Sequence, residues 1–309
     1  MNRLCSSGLQ AVATVANQIA AGEIDCGIGG GVESMSMSNM AKEFPFKDNS
    51  KLAKEFFENE EAKKILMPMG ITSENVAEMY GITRETQDKM AFESHQKAAH
   101  AQKMGWSQKE VTPYKTIVKD KEGNETEVLI DRDDGVRPQT TMAGLAKLKP
   151  AFKKGGTTTA GNSSQVTDGA ACVLLAKRSF AEKHGLPIKG RFLAFAAAGV
   201  PPEIMGIGPA FAIPAALKKA GLSVNDIDVF EVNEAFASQA TYSVDTLKIP
   251  REKLNRRGGA IALGHPLGMT GSRMIVTLFH EMERTNSKTG IVSMCIGTGM
   301  GACGIFERE

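Results

Sequence analysis

Residues 7–21 place Leu9, Val12, Ala16 and Ile19 on one face of a helical period, and Gly22 follows as a stop. Cys26–Gly31 then reads as a short, glycine-loaded buried strand. The texture changes over residues 37–157. Charge is denser there, and its sign alternates over Lys51–Lys64. Helical stretches run over Glu74–Met79 and Arg84–Lys103, and Glu122-Gly123-Asn124 marks a polar hairpin. These residues read as an inserted, surface-lying subdomain. Core character returns in the continuous apolar strand Gly169–Ala176.

From Arg191 the alternation is regular. A strand (191–198) leads to a helix that opens near Pro209 and closes at Gly221. Then come a strand (Asp228–Val232), a helix (234–247) and the glycine-rich run GGAIALGHPLGMTG. A helix over 271–284 and strands 290–295 and 302–307 complete the pattern. Such alternation implies an α/β fold, a mixed sheet with helices on both faces. The start of the chain parallels the end of this unit. Cys5, helix 7–21 and strands 26–31 and 169–176 match His265, helix 271–284 and the last two strands. The chain therefore divides into halves 1–180 and 181–309, the first carrying the insertion at about 37–157. Residues 191–264 precede the His265 turn, but only Met1–Leu4 precede Cys5. The first half is expected to lack a leading βαβα and to leave a sheet edge unpaired.

Composition narrows the function. The 309 residues suit two domains. Lys+Arg is 37 against Asp+Glu 35, so no nucleic-acid groove is indicated. The uncharged run Ile204–Leu217 is broken by Pro209 and Pro214 and is too short to span a membrane. Five cysteines without a Cys-x-x-Cys pair, and histidines without zinc spacing, suit a reducing compartment and indicate no metal. Neither Met1–Leu4 nor Phe306-Glu307-Arg308-Glu309 reads as a targeting signal.

Four residues could carry chemistry. Cys5 stands directly before an amphipathic helix, where dipole and free N–H groups favour a thiolate; it could equally be a small core residue. His265, between Gly264 and Pro266, has its ring exposed on a tight turn, as a base or as a loop histidine bonded to backbone. Asn233 follows strand DVFEV, at the sheet edge where ligands bind, or as a helix N-cap. Cys295 ends an apolar strand and enters Gly297-Thr298-Gly299, whose N–H groups could face an oxyanion. Gly299–Gly304 matches GxGxxG, but only five residues follow, so no helix is left to hold a pyrophosphate. Cys172 and Cys303 read as core. Two cysteines, a histidine and an asparagine suit acyl transfer through a thioester.

In order along the chain, NRLCSSGLQA, MGITSENVAE, TTAGNSSQVTDGAA, VNEAFA, GGAIALGHPLGMTG and CIGTGMGA resemble the thiolases, with the texture of the peroxisomal 3-ketoacyl-CoA type. The resemblance covers essentially the whole chain. It implies a thiolase fold of two βαβαβαββ-type halves in a layered αβαβα core. It implies cleavage of 3-ketoacyl-CoA by CoA, with CoA as substrate and no bound cofactor, in a peroxisomal homodimer. Cys5 would carry the acyl group. His265 would activate it and, with Asn233, hold a water in one oxyanion hole. Cys295 would be the acid/base. The N–H groups of Cys5 and Gly297 would form the second oxyanion hole. Ser164 would line the pantetheine tunnel, Arg137 would lie near the CoA nucleotide and Met69 near the acyl end. Lys147, Lys149, Lys153 and Lys154 would face CoA phosphates or solvent.

Two departures stand out. Pro68 precedes Met69 where acetoacetyl-CoA-type thiolases carry histidine, which favours the degradative subtype over the acetoacetyl-CoA type. Arg256-Arg257 replace neutral residues in a turn expected to be exposed and of little effect. Cys295 argues against a condensing ketoacyl synthase, which has a Cys-His-His set. The sequence also admits a truncated form with little activity and a lipid-carrier-like binding protein; the intact four-residue set speaks against the carrier.

Overall fold

The computed structural model describes residues 1–38, 52–120 and 122–309. Lys51, at the head of the sign-alternating run, lies outside them. A 3-10 turn at Leu4–Ser6 opens into helix α1 (Ser7–Ala20), followed by strand β1 (Cys26–Ser34). Helices α2 (Met69–Met79) and α3 (Arg84–Lys103) and the hairpin β2 (Tyr114–Lys119) and β3 (Glu125–Ile130) belong to the expected insertion. Strand β4 (Asp168–Ala176) pairs antiparallel with β1 along its full length. The second half runs β5 (Gly190–Gly199), α4 (Gly208–Ala220), β6 (Val229–Val232), α5 (Ala237–Thr246), α6 (Leu267–Thr285), β7 (Thr289–Ile296) and β8 (Met300–Arg308). Its sheet has the order β5-β8-β7-β6, with β6 and β7 parallel and the other pairs antiparallel. This is the mixed sheet that the alternation predicts.

Four layers result. Ile213, Ala216 and Leu217 of α4 and Val244 of α5 pack with Phe230, Val232, Ile291 and Ile305 on one face of the four-stranded sheet. The other face carries Val229, Val292, Met294 and Ile296, which meet Leu9 and Val12 of α1 and Ile275, Leu278 and Met282 of α6. Val173 and Leu175 close that core from the β1–β4 ribbon. So α1 and α6 lie side by side between two sheets. Helix α1 can lie flat on β1 because glycines face it: a Cβ at Gly29 would stand 2.6 Å from the Val12 Cα.

Two strand readings need correction. Both β1 and β4 alternate instead of being buried on both faces, so Cys26 and Cys172 are exposed while Cys303 is buried. Ile28 is 66%, Val32 71% and Leu174 57% exposed on the outer face. An apolar run cannot by itself distinguish a strand covered on two faces from one covered on a single face. No fifth layer covers this ribbon among the described residues.

Arg257 is a third correction. It is 4% exposed and donates Nε–H to the buried Glu281 carboxylate at 2.9 Å and its Nη1–H to the Trp106 carbonyl at 3.0 Å. Arg284 also bonds Glu281 and stacks over the Trp106 ring at 3.8 Å. The arginine pair therefore fastens the insertion to α6 instead of facing water. Lys153 pairs with Glu78 on the exposed surface.

The tightest contact is between α6 and the first half. A Cβ at Gly31 would collide with the Gly268 carbonyl, and one at Gly8 would stand 2.5 Å from Ser272 Oγ. Gly31→Ala must therefore move backbone and should cost about 1–3 kcal/mol in urea unfolding. Gly199→Ala, where a Cβ meets nothing within 4 Å, should be near neutral. Equal stability of the two variants would refute the close-approach argument.

Candidate active site

Cys5 sits in the 3-10 turn that delivers the chain to α1. Leu4 before it has a left-handed φ of 47°, a strained state for leucine. Local bonds hold the turn: Ser7 Oγ accepts from the Arg3 N–H at 2.9 Å and donates to the Leu4 carbonyl at 2.7 Å. The turn rests against β7 and α6. The backbone N–H groups of Gly297 and of Cys5 itself lie near enough to the Cys5 sulfur to favour its thiolate. Gly297 can reach it because the chain reverses after β7 through left-handed Thr298 (φ 72°) and Gly299 (φ 100°).

His265 enters after Gly264, whose φ of 90° and contact with Thr167 admit only glycine. Its N–H donates to the Gln165 carbonyl at 3.3 Å. The ring is buried, not exposed as the turn suggests, because α6 and the 162–165 segment close over it. Thr270 Oγ1 lies 2.7 Å from Nδ1, and Asn233 Nδ2 lies close to both ring nitrogens, 3.4 Å from Nδ1 and 3.3 Å from Nε2. The Thr270 hydroxyl can accept from Nδ1–H or donate to Nδ1, and when it accepts, Nε2 carries the lone pair of a base. Asn233 is no N-cap: α5 begins four residues later with Phe236 in that position. Its backbone N–H instead continues the β6–β7 ladder to the Ser293 carbonyl at 2.9 Å.

Cys295 Sγ donates to Gln239 Oε1 at 3.6 Å. It packs in one apolar cluster with Met205 and Ala235, against Met69 and Phe236. Ser164 lies beside this group, its N–H donating to the Ala235 carbonyl at 3.0 Å. The structure thus brings Cys5 to Gly297, Asn233 to His265, and Met69 to Cys295. Arg137 is exposed; its N–H donates to His95 Nδ1 at 3.2 Å, and no bond among the described residues ties it to the cysteines. Thr270, Gln239 and Glu33 escaped the sequence reading. Thr270 stands in the first turn of the helix after Gly-His-Pro, a readable position. Glu33 accepts from the Gly268 N–H at 3.0 Å, capping α6 from another strand, which no local pattern announces.

The site is buried. Burial pushes the Cys5 thiol up to about 11, only partly opposed by the Gly297 and Cys5 N–H groups, and the Glu33 charge adds to the rise. Burial also pushes the Cys295 thiol up, and the neighbouring Cys5 adds to it. Burial lowers His265 to about 4. At neutral pH the resting pair is thiol and neutral imidazole. A thiol in this state can act as a nucleophile only by losing its proton to a base as it attacks. The N–H groups at the sulfur are placed for an oxyanion on a carbon bound there. Among the described residues no His, Cys, Asp or Glu group could hold a metal, and no helix is long and apolar enough to cross a membrane.

His265 makes stability pH-dependent. Unfolded histidine titrates near 6.5, so between that value and about 4 the unfolded chain binds the extra proton. Unfolding free energy should fall as pH drops through this window and level off below it, measured by urea titration. His265→Gln should reduce the slope; His95, also held near 4, and His280, likewise lowered by burial, add to what remains.

Comparison with known proteins agrees with this geometry. Residues 1–179 match the thiolase N-terminal domain and 186–308 the thiolase C-terminal domain. The peroxisomal 3-ketoacyl-CoA thiolase A of Rattus norvegicus is 60% identical over 308 residues, covering 99% of this chain and 70% of that protein. The Homo sapiens peroxisomal 3-ketoacyl-CoA thiolase is 58% identical, with 99% and 71% covered. The dimeric peroxisomal thiolase of Saccharomyces cerevisiae superposes with a TM-score of 0.90 at 50% identity, over 100% of this chain and 76% of its own. Human mitochondrial 3-ketoacyl-CoA thiolase in complex with CoA gives 0.86 at 39% identity, over 100% and 77%. With two domain models in order across nearly its whole length, the chain belongs to the thiolase family.

Proposed function

We propose that this chain is a 3-ketoacyl-CoA thiolase, an acetyl-CoA C-acyltransferase of fatty-acid β-oxidation that works in the peroxisome as a homodimer. Its substrates are 3-ketoacyl-CoA and CoA. The observation that carries the reading is the buried Cys5 thiol with the Gly297 N–H and the Cys295 thiol beside it, its turn resting on the helix that follows the buried, neutral His265 imidazole. The reading treats residues 1–180 and 181–309 as two halves, each placing a helix N-terminus at the shared site.

In the first half-reaction Cys5 attacks the 3-keto carbon while its proton passes to His265. The developing oxyanion on that carbon is met by donors in the site, and the C2–C3 bond breaks. The leaving enolate of acetyl-CoA takes a proton from Cys295, the neutral thiol that a general acid must be. The acyl group remains as a thioester on Cys5. In the second half-reaction Cys295 takes the proton of incoming CoA, whose sulfur displaces Cys5. His265 and Asn233 hold the water of one oxyanion hole, and the N–H groups of Cys5 and Gly297 form the other. Ser164 lines the pantetheine path and Met69 the acyl end, which their places beside Ala235 and Cys295 support. Arg137 is assigned to the CoA nucleotide.

Intact-mass analysis after incubation with a 3-ketoacyl-CoA should show one acyl adduct, which peptide mapping places on Cys5. Cys5→Ser should abolish it; equal labelling of that variant would sink the assignment. Asn233→Ala should lower kcat by about 10²–10³-fold by removing oxyanion support. In a separate measurement, iodoacetamide should modify the exposed Cys26 and Cys172 before Cys5, whose rate should keep rising toward pH 11.

A further inference from the structure

Strand β6 sends Phe230 and Val232 under α4 and Val229 against α6. By the two-residue period, Glu231 and Asn233 share the α6 face. Glu231 is 3% exposed, and its Oε1 has no hydrogen-bond partner. Asn233 Oδ1 is equally buried and equally without one. Both residues line one small cavity of about 30 Å³, together with Thr270, Arg273 and Thr277 of α6. That volume accommodates a water; the walls are largely apolar, and the unpartnered Glu231 Oε1 and Asn233 Oδ1 belong to two of the residues that line them. Thr270 also holds His265 Nδ1, so the cavity touches both residues that bear on the imidazole.

Charges around Glu231 decide its state. Glu281 and Arg273 face it from α6, Glu110 from the insertion, Arg257 from the turn before α6, and Glu234 from the continuation of its own strand. The arginines are engaged elsewhere: Arg257 with Glu281 at 2.9 Å and Arg273 with Asp133 at 2.6 Å. No cation comes within 4 Å of Glu231 among the described residues. Burial among carboxylates pushes its own carboxyl well above the usual range. A metal cation is a poor occupant beside Arg273, whereas water can satisfy donors and acceptors together.

We propose that Glu231 is a neutral carboxylic acid that, through a water trapped in this cavity, orients Asn233 and the Thr270–His265 pair: a positioning residue for the acyl-transfer site. One arrangement of donors and acceptors satisfies all of these groups. Glu231 O–H and Thr270 O–H donate to the water, and the water donates to Asn233 Oδ1. Asn233 Nδ2 is thereby held beside the imidazole ring, and His265 Nδ1–H donates to Thr270 Oγ1. The arrangement fixes the tautomer that leaves Nε2 basic. This assignment rests on the acyltransferase reading for its purpose, but not for its measurement.

The test compares Glu231→Gln, which keeps a neutral donor, with Glu231→Leu, which fills the cavity and removes it. An infrared difference spectrum of wild type minus Glu231→Gln should show the carbonyl band of a protonated carboxylic acid at neutral pH. A carboxylate signal alone overturns the proposal, with or without turnover. Glu231→Gln should keep kcat, and the pH profile of Cys5 alkylation, within about threefold of wild type. Glu231→Leu should lower kcat about tenfold or more with little change in KM, and shift that profile. Loss of activity in the Gln variant equal to that in the Leu variant also overturns it. Should wild type turn over no acyl-CoA, the function reading fails alone, because the infrared band and the alkylation profiles still decide the role of Glu231. If the Leu variant does not fold, the Gln variant and its spectrum decide.

Discussion

The close approach of α6 to α1 and β1 is the constraint on which the site depends. Cys5 and His265 each stand at the start of one of those helices, from opposite ends of the sequence. They share a site only because the helix ends can nearly touch. Gly8, Gly31, Gly268 and Gly271 supply that contact, since a side chain at Gly31 or Gly271 would enter backbone on the other side. The apolar core between the sheets sets the helices side by side, and the glycines set how far along they slide. Glu33 then caps α6 from β1, so the same junction carries a polar tie as well.

Burial at that junction governs the chemistry. In solvent a thiol and an imidazole of ordinary pKa would exchange protons freely, and a standing thiolate would react with any electrophile. Here burial penalises every charged form, raising both thiols and lowering the imidazole. A substrate that brings a polarised carbonyl into the N–H donors at Cys5 changes the balance by giving the negative charge a place to go. The reactive state is thus tied to occupancy of the site.

Much of this was legible in the sequence, for identifiable reasons. The second half announced itself through strict alternation of strand and helix, and its element bounds came within a few residues. Cys5, Asn233, His265 and Cys295 were readable because each stands where a strand or turn meets a helix or another turn. Other facts required three dimensions. Arg257 looked like a solvent charge because its partners, Glu281 and the Trp106 carbonyl, are remote along the chain. Cys172 looked like core because the pattern of one strand does not say how many layers cover it. Glu33, Gln239 and Thr270 act across elements, and only packing shows whom a polar side chain meets.

The Arg257 cluster has a thermodynamic consequence. The segment around the β2–β3 hairpin buries little of its own apolar surface: Tyr114, Ile117 and Leu129 are exposed. Much of its order therefore comes, through Trp106 and Glu110, from arginines on and before α6. The dependence runs both ways. Any ligand that stiffens the insertion also steadies the helix that follows His265, and any loosening of that helix is felt at the insertion's surface. The insertion and the histidine turn, separate in sequence and in apparent purpose, form one cooperative unit.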